Sequence, residues 1–240
     1  MLKIALLGYG KMGKAIEQEA TARGHEISFR IDQDNHKELS SITPSNTDAI
    51  IEFTHPDSFW RNLEACLTLG VPIISGTTGW YDERSKAYEL VSEKNAAFMF
   101  GSNFSVGVNL FFKLNERLAE LMNPYTDYDC YVEEQHHRYK ADGPSGTAVT
   151  LAQQVLSRLD RKESIAPDLR TRPPQPEELS VGFIRSGEII GRHRVGYTSD
   201  IDSLTIEHHA YNRRGFALGA VIAAEWMQGK KGFFEFKDVF

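Results

Sequence analysis

The stretch Gly8-Tyr-Gly-Lys-Met-Gly13 constrains this chain more than any other. Lys3 to Leu7, just before it, is a short apolar run suited to a β-strand. Lys14-Ala-Ile-Glu-Gln-Glu-Ala, just after it, is helix-compatible. Strand, glycine turn and helix together are the context in which Gly-x-Gly-x-x-Gly reads as a dinucleotide-binding fingerprint. The glycines permit a tight turn and let the backbone approach a pyrophosphate seated on the helix N-terminus. Gly8, Tyr9, Gly10, Lys11, Met12 and Gly13 are therefore expected at a cofactor; the competing reading is a plain strand–helix connection. A second strand candidate, His25 to Ile31, ends at Asp32. Its distance from the first glycine is close to the ~20 residues at which an acid holds the ribose hydroxyls. A carboxylate there favours NAD over NADP, because it repels a 2′-phosphate, and Arg30, His36 and Lys37 nearby soften that preference. A turn role for Asp32 fits equally well.

Strand and helix patterns keep alternating. Asp48 to Thr54 reads as a buried parallel strand, Ser58 to Leu69 as a helix with Leu63, Cys66 and Leu67 in period, and Val71 to Ile74 as a strand running into Ser75-Gly-Thr-Thr-Gly79. Asp82 to Asn95 is helical, and Ala97 to Phe100 is a strand leading into Gly101-Ser-Asn-Phe-Ser105. Glycines and small hydroxylated residues at strand C-termini belong at the ligand crevice of an open α/β sheet. Val106 to Met122 is a longer helix with Val106, Leu110, Phe111, Leu114, Leu118 and Leu121 as its apolar stripe. Then the pattern changes. Asp127–Gln135, Ser180–Arg185, Glu188–Tyr197 and Ser203–Ala210 read as strands, with Arg185-Ser-Gly-Glu188 as a hairpin turn and the charged, proline-rich Arg161–Leu179 as a loop. Phe216 to Gly229 is helical again. The expected class is α/β: a Rossmann-type doubly wound parallel sheet, plus an α+β domain with a mostly antiparallel or mixed sheet. The expected boundaries are residues 1–104 with 216–240 for dinucleotide binding, and 105–215 for substrate binding and oligomerisation.

The chain has 240 residues and a net charge of -6, which argues against a nucleic-acid surface. Its two cysteines, Cys66 and Cys130, form neither a disulfide framework nor a zinc motif. The apolar run at the N-terminus is too short for a signal peptide, and nothing approaches the ~20 apolar residues of a membrane span. These features point to the cytoplasm, with neither nucleic acid nor membrane as partner.

Glu133 to Thr147 is where chemistry is expected, because two imidazoles, an arginine, a lysine and an aspartate precede Pro144-Ser-Gly-Thr147. The following run, with Leu151, Ala152, Val155 and Leu156 on one face, reads as a helix capped by Ser145. Gly146 and Thr147 then offer unpaired N–H donors at the positive end of its dipole, which suits an anion such as a carboxylate. The bland alternative is a polar loop and an ordinary capped helix. An imidazole suits proton transfer near neutrality, and neighbours in an extended chain point to opposite faces, so His136 and His137 are not expected to share one role unless the chain turns. His136, His137, His193, His208 and His209 show no ligand-like spacing and no carboxylate partner, so no metal is expected; His193 and His209 read as structural.

Taken in order, Gly8-x-Gly-x-x-Gly13, Phe53-Thr54, Gly76-Thr-Thr-Gly79, Asn103-Phe-Ser-Val-Gly-Val-Asn109, Glu134-x-His-His-Arg-x-Lys-x-Asp-x-Pro-Ser-Gly-Thr-Ala148 and Gly187-x-x-x-Gly-x-His193 resemble the dihydrodipicolinate (4-hydroxy-tetrahydrodipicolinate) reductase family over almost the whole chain. That resemblance implies an oxidoreductase of the diaminopimelate route to lysine, passing a hydride from NADH or NADPH to a cyclic imine dicarboxylate, and typically a homotetramer. It implies His136 as general acid/base and Lys140 as a second proton donor. It places His137, Gly146 and Thr147 at the substrate, and Gly76, Thr77, Thr78, Gly101, Ser102, Asn103 and Phe104, with the glycine turn, at the dinucleotide. Lys140, a compact cation, also suits a substrate carboxylate. Gly143 departs from the family's usual alanine, and the stretch between Asp32 and Asp48 is short. Two other readings share the fold: another nicotinamide-dependent dehydrogenase, or a non-catalytic dinucleotide sensor, which would need the glycines but no proton donor.

Overall fold

Five apolar strands and three helices alternate through the first part of the chain: β1 (Lys3–Leu7), α1 (Lys11–Ala22), β2 (Glu26–Ile31), β3 (Ala49–Glu52), α2 (Pro56–Leu67), β4 (Ile73–Ser75), α3 (Arg84–Glu93) and β5 (Ala97–Phe100). Helix α4 (Val106–Met122) leads to β6 (Asp129–His136), α5 (Gly146–Leu156), β7 (Ser164–Ile165), β8 (Glu178–Arg185), β9 (Gly191–Thr198) and β10 (Ser203–Ala210). Helix α6 (Arg214–Trp226) and β11 (Gly232–Glu235) close the sequence. The computed structural model describes residues 1–166 and 172–240. Two units separate: Met1–Val106 with Arg213–Phe240, and Gly107–Asn212.

In the first unit all six strands run parallel in the order β11-β5-β4-β3-β1-β2. Strands β3, β4 and β5 are buried at every position, as a sheet covered on both faces requires. One face packs Ala5, Ile50, Ile73 and Phe98 against Phe59 and Leu63 of α2 and Ala87 and Val91 of α3. The other packs Ile4, Leu6, Ile51 and Ile74 against Ile16 and Ala20 of α1 and Ala217, Ala220, Val221 and Ala224 of α6. The stretch Gly232 to Phe240 supplies the edge strand β11 and a 3-10 turn at Phe236–Val239.

The second unit holds a mixed five-stranded sheet, β10-β9-β6-β8-β7. Strand β9 runs antiparallel to both of its neighbours, β10 and β6, whereas β8 joins parallel to β6 and β7 parallel to β8. The expected hairpin at Arg185–Glu188 is therefore not one: β6 lies between β8 and β9, which do not pair. The Ser-Gly turn reverses the chain locally, with Gly187 at φ 50°, but partner choice is non-local. The Arg161–Leu179 loop carries β7, and its residues 167–171 lie outside the described ones. Buried Leu151, Ala152 and Val155 of α5 pack on Cys130, Val132 and Val195 of the sheet.

The stripe expected on α4 is borne out at Phe111 and Leu118 and fails at three of its leucines. Phe111, Leu118, Ala119 and Met122 are buried, while Leu110, Leu114 and Leu121 are each about half exposed (50%, 52% and 52%). The α4 sequence is apolar around most of its circumference, so periodicity alone does not choose a face. Asn115 shows which side is inward: it is fully buried, and its amide donates to the Leu151 carbonyl at 3.1 Å and to Gln154 Oε1 at 3.0 Å. Among the described residues no helix is long and apolar enough to cross a membrane.

Candidate active site

The glycine turn of the first unit is built by close contacts. Gly8 has φ 96°, and a Cβ there would sit 2.1 Å from the Phe53 carbonyl oxygen; a Cβ on Gly13 would sit 2.3 Å from the Gly8 carbonyl oxygen. A side chain at either position would wedge β1 away from β3 or from α1. Gly10 differs: a Cβ would meet nothing within 4 Å, so its backbone faces open space at the start of α1. That is the cradle a pyrophosphate needs, with the first N–H groups of α1 lacking intrahelical acceptors. A cavity of about 550 Å³ adjoins it, lined by Gly8, Gly10, Asp32, Gln33, His36, Phe53, Thr54, Ser58, Arg61 and Asn62 among others. Lys11 is exposed and Met12 half-buried, whereas Tyr9 hydrogen-bonds Glu17, which also binds Arg30.

Asp32 lines this cavity at the end of β2. Its Oδ1 accepts from the Gln33 N–H at 2.9 Å, the contact that the turn reading expects, while its place in the cavity lining leaves the ribose reading open. Of the three groups expected to offset it, Arg30 pairs with Glu17 and His36 Nε2 lies 2.9 Å from Asn62 Oδ1. Arg61, which sequence spacing does not single out, faces the same cavity.

Behind the loops lies buried Glu52. Its carboxylate accepts from Ser75 Oγ at 2.5 Å, Thr77 Oγ at 2.7 Å and the Thr54 N–H at 3.1 Å. The Thr77 hydroxyl is thus spent on the loop itself, leaving Thr78 exposed. Gly76 is fixed by the Phe53 ring, which a Cβ would approach to 2.2 Å. Gly101 is buried against Phe104 and Phe236. The Phe104 ring belongs to the core (2% exposed), so only its backbone is left for a ligand. Ser102 is exposed, and Asn103 Oδ1 accepts from the Ser105 N–H at 2.8 Å.

In the second unit, β6 alternates strictly, and Cys130, Val132, Glu134 and His136 share its buried face. Glu134 is fully buried. Register brings His193 of β9 opposite Glu134, and Arg185 of β8 opposite His136. Glu134 Oε1 accepts from Arg185 Nη2 at 2.7 Å and from the Ser145 N–H at 3.0 Å. Its Oε2 lies 3.5 Å from His136 Nδ1 and 3.5 Å from His193 Nε2. Burial pushes the Glu134 pKa up, but His193, Ser145 and Arg185 outweigh it and bring the group to about 2. His136 is 9% exposed. Burial drives its pKa down to about 4, with Glu134 pulling the other way and His193, Lys140 and Arg185 adding to the fall. The array therefore holds an ionised carboxylate, a guanidinium and a neutral His136 ring at pH 7.

Ser145 caps α5 as expected, its Oγ accepting from the Ala148 N–H at 3.3 Å. Gly146 is exposed, and a Cβ there would touch nothing within 4 Å; Thr147 is half-buried. His137 follows the strand, half-buried beside Tyr139. Lys140 Nζ is 2.8 Å from both carboxylate oxygens of Asp142. Arg185 also binds the Lys140 carbonyl at 3.3 Å and the Asp142 carbonyl at 2.6 Å, which ties down the loop before the cis Gly143–Pro144 bond. The Gly143 departure has a local partner: an alanine Cβ would come within 2.8 Å of the Phe183 ring.

His193 is buried, in line with its structural reading, but it and His136 share a carboxylate partner in Glu134, which the sequence reading did not expect. The fold brings Glu134, His136 and His193 donors within 4.8 Å of one another. That spacing would admit a cation, but Arg185 already supplies the positive charge on Glu134. Glu134, Arg185 and Gly191 escape sequence reasoning as site residues; a Cβ on Gly191 would lie 3.2 Å from His136 Nε2. Glu134 and Gly191 leave a trace, each standing in a motif two residues from a histidine, His136 and His193 respectively, whereas Arg185 stands in none.

Comparison with known proteins agrees with this layout. The family model described as "Dihydrodipicolinate reductase, N-terminus" matches residues 2–104, and its C-terminal counterpart matches 107–240. A 4-hydroxy-tetrahydrodipicolinate reductase from Christiangramia forsetii is 42% identical over 240 residues, covering 99% of this chain and 97% of that protein. One from Neisseria meningitidis is 36% identical over 199 residues, covering 81% and 73%. Among solved structures, a dipicolinate-bound dihydrodipicolinate reductase from Paenisporosarcina sp. TG-14 aligns over 100% of both chains with a TM-score of 0.78 and 21% identity. The WlbA dehydrogenase from Thermus thermophilus, in complex with NAD and UDP-GlcNAcA, covers 100% of this chain and 91% of its own at a TM-score of 0.56 and 12% identity. The structural likenesses speak for the fold; the family models and the relatives of higher identity establish that this chain belongs to the 4-hydroxy-tetrahydrodipicolinate (dihydrodipicolinate) reductase family.

Proposed function

We propose that this chain reduces 4-hydroxy-tetrahydrodipicolinate to tetrahydrodipicolinate in the diaminopimelate route to lysine. The observation that carries the reading is the match of both family models across the chain, together with the full-length relative. Family membership makes the chain a nicotinamide-dependent oxidoreductase. The Gly8–Gly13 turn, open at Gly10, fits such a dinucleotide, and the backbones of Gly76–Thr78 and Gly101–Phe104 extend the cradle. When bound, the nicotinamide supplies the hydride. The net change replaces the substrate hydroxyl by hydrogen, so one proton and one hydride are taken up and water leaves.

The chain's own residues handle the carboxylates and the proton. The exposed start of α5 at Gly146 and Thr147 suits one substrate carboxylate, and Lys140 with His137 suits the other. His136 serves as the acid/base, but its ring is neutral in the free protein. Proton donation therefore requires proton uptake first, and the two negative charges of a bound dicarboxylate favour that uptake. Lys140 is the second donor.

The unit Met1–Val106 with Arg213–Phe240 serves as the dinucleotide domain, and Gly107–Asn212 serves substrate binding and assembly into a homotetramer. For the cofactor, the Asp32 carboxylate favours NADH, and Arg61 in the same cavity moderates the discrimination against NADPH. The decisive experiment is oxidation of NADH and NADPH, side by side, on addition of freshly prepared 4-hydroxy-tetrahydrodipicolinate. Turnover with either supports the reading; no absorbance change beside an active control enzyme refutes it. Light scattering coupled to gel filtration tests the tetramer, and a monomeric mass would end that part.

A further inference from the structure

We infer that Glu134 is a positioning residue, a single buried carboxylate that orients the His136 ring and at the same time fixes the start of α5. The inference rests on the acid/base reading of His136 given above.

The geometry divides the carboxylate in two. Oε1 is bonded, to the Ser145 N–H at 3.0 Å and the Arg185 guanidinium at 2.7 Å. The first of these bonds pins the residue that caps α5, and with it the exposed N–H groups of Gly146 and Thr147. The second ties the carboxylate to the guanidinium that clamps the Lys140 and Asp142 carbonyls. Oε2 faces the imidazoles instead, 3.5 Å from His136 Nδ1 and 3.5 Å from His193 Nε2. Oε2 and His136 Nδ1 are both buried without a hydrogen-bond partner. An imidazole that takes up a proton at Nδ1 would find its acceptor there. A carboxylate beside a histidine fixes tautomer and ring orientation and stabilises the imidazolium. One side chain thus aligns a proton site and an anion site, so that a dicarboxylate on the helix start has the acid at a set place.

The groups facing His136 are Glu134 on its own strand, His193 on β9, Arg185 on β8 and Lys140 on the following loop. Two of these give opposite sign tests. Glu134→Gln keeps the shape of the side chain and an acceptor for Ser145 while deleting the charge, so the histidine should titrate at lower pH. Arg185→Gln deletes the neighbouring cation, so it should titrate at higher pH.

The experiment follows the His136 ring by NMR titration in wild type and both variants, each checked for native fold by circular dichroism. It needs no turnover, and so separates failure of this inference from failure of the assigned reaction. Kinetics supply the second readout. Glu134→Gln should lower kcat at least tenfold, leave the substrate KM within about threefold because the Ser145 bond survives, and move the limb of the pH profile where activity is lost on raising pH toward lower pH. Opposite titration shifts in the two variants support the inference. Shifts of the same sign, or a kcat loss with an unmoved pH profile, overturn it, because a purely structural role would do no more. Should Glu134→Gln fail to fold, Arg185→Gln still decides: an unchanged or lowered His136 titration overturns it.

Discussion

Gly8 and Gly10 stand two residues apart in one turn, yet the structure gives them separable jobs. Replacing Gly8 by alanine would put a Cβ 2.1 Å from the Phe53 carbonyl oxygen at a backbone φ of 96°. That φ alone costs roughly 1–2 kcal/mol for a residue with a Cβ. The clash cannot relax cheaply, because Phe53 is held to β1 by its N–H on the Leu7 carbonyl at 2.9 Å. A total loss of about 3 kcal/mol or more is expected, which in a chain of this size lowers Tm by about 6–12 °C. Gly10 has φ -79°, and its added methyl meets nothing within 4 Å. Alanine there gains a little by restricting the unfolded chain and loses a little as an N-cap, for a net change within about 1 kcal/mol. The methyl does, however, occupy the space a pyrophosphate would use. Gly10→Ala should therefore hold its Tm while its Kd for NADH, followed by fluorescence titration, rises at least about tenfold, equivalent to about 1.4 kcal/mol. A folded Gly10→Ala protein that binds NADH as tightly as wild type would refute the assignment of the α1 terminus to the phosphates.

Other perturbations separate the remaining parts. Lys140→Ala should raise the substrate KM about tenfold and lower kcat, with little change in Tm, because the partner Asp142 is exposed and such pairs contribute under ~1 kcal/mol; retained KM contradicts the carboxylate contact. Thr77→Val removes a buried donor to Glu52 and should destabilise by about 1–3 kcal/mol, read as a lowered denaturant midpoint, while Thr78→Val should not. Gly143→Ala brings a methyl within 2.8 Å of Phe183, whose half-exposed ring can swing outward, so a loss under about 1 kcal/mol is expected in the same assay. Acid should weaken the fold in a defined window. The His136 pKa is depressed from 6.5 to about 4 in the folded chain, so between those values the unfolded chain binds more protons and stability falls as pH falls. The size is on the order of 1–3 kcal/mol, and His136→Gln should flatten that slope in urea titrations at stepped pH.

The parts of this protein that a reader can take from the sequence are those that rest on local periodicity. The strand–glycine–helix start, the strand of Asp48–Thr54, the Ser145 cap and the buried face of α5 all appear in a few consecutive residues, and each recurs in the structure. Three features do not, each for a physical reason. The α4 face depends on Asn115 finding the Leu151 carbonyl 36 residues away, which no periodicity encodes when apolar residues cover most of the helix circumference. The false hairpin comes from reading a chain reversal as a pairing; β6 takes the place between β8 and β9, so turn chemistry predicts direction but not neighbour. The supports of the proposed acid/base site are hidden for the same reason. His136 and Lys140 sit in one memorable run, whereas His193 and Arg185 meet Glu134 only through the register of two other strands.

That contrast says something about how such a site is built. The side chains proposed to react cluster on one strand end and one loop, where few structural demands compete. The groups that set their charge state must approach from independent directions, because a carboxylate surrounded only by its sequence neighbours would stay solvated and would hold no imidazole in place. Glu134 meets this demand by pointing inward at every second residue of β6, into a layer closed by α5, β8 and β9. Burial without partners would raise its pKa and neutralise it; the guanidinium and the backbone donor of Ser145 keep it ionised near pKa 2. The negative charge available to His136 is therefore a product of sheet order, and any change that slips the β6–β8 register by one residue would move Arg185 off Glu134 and should abolish activity even with His136 and Lys140 intact.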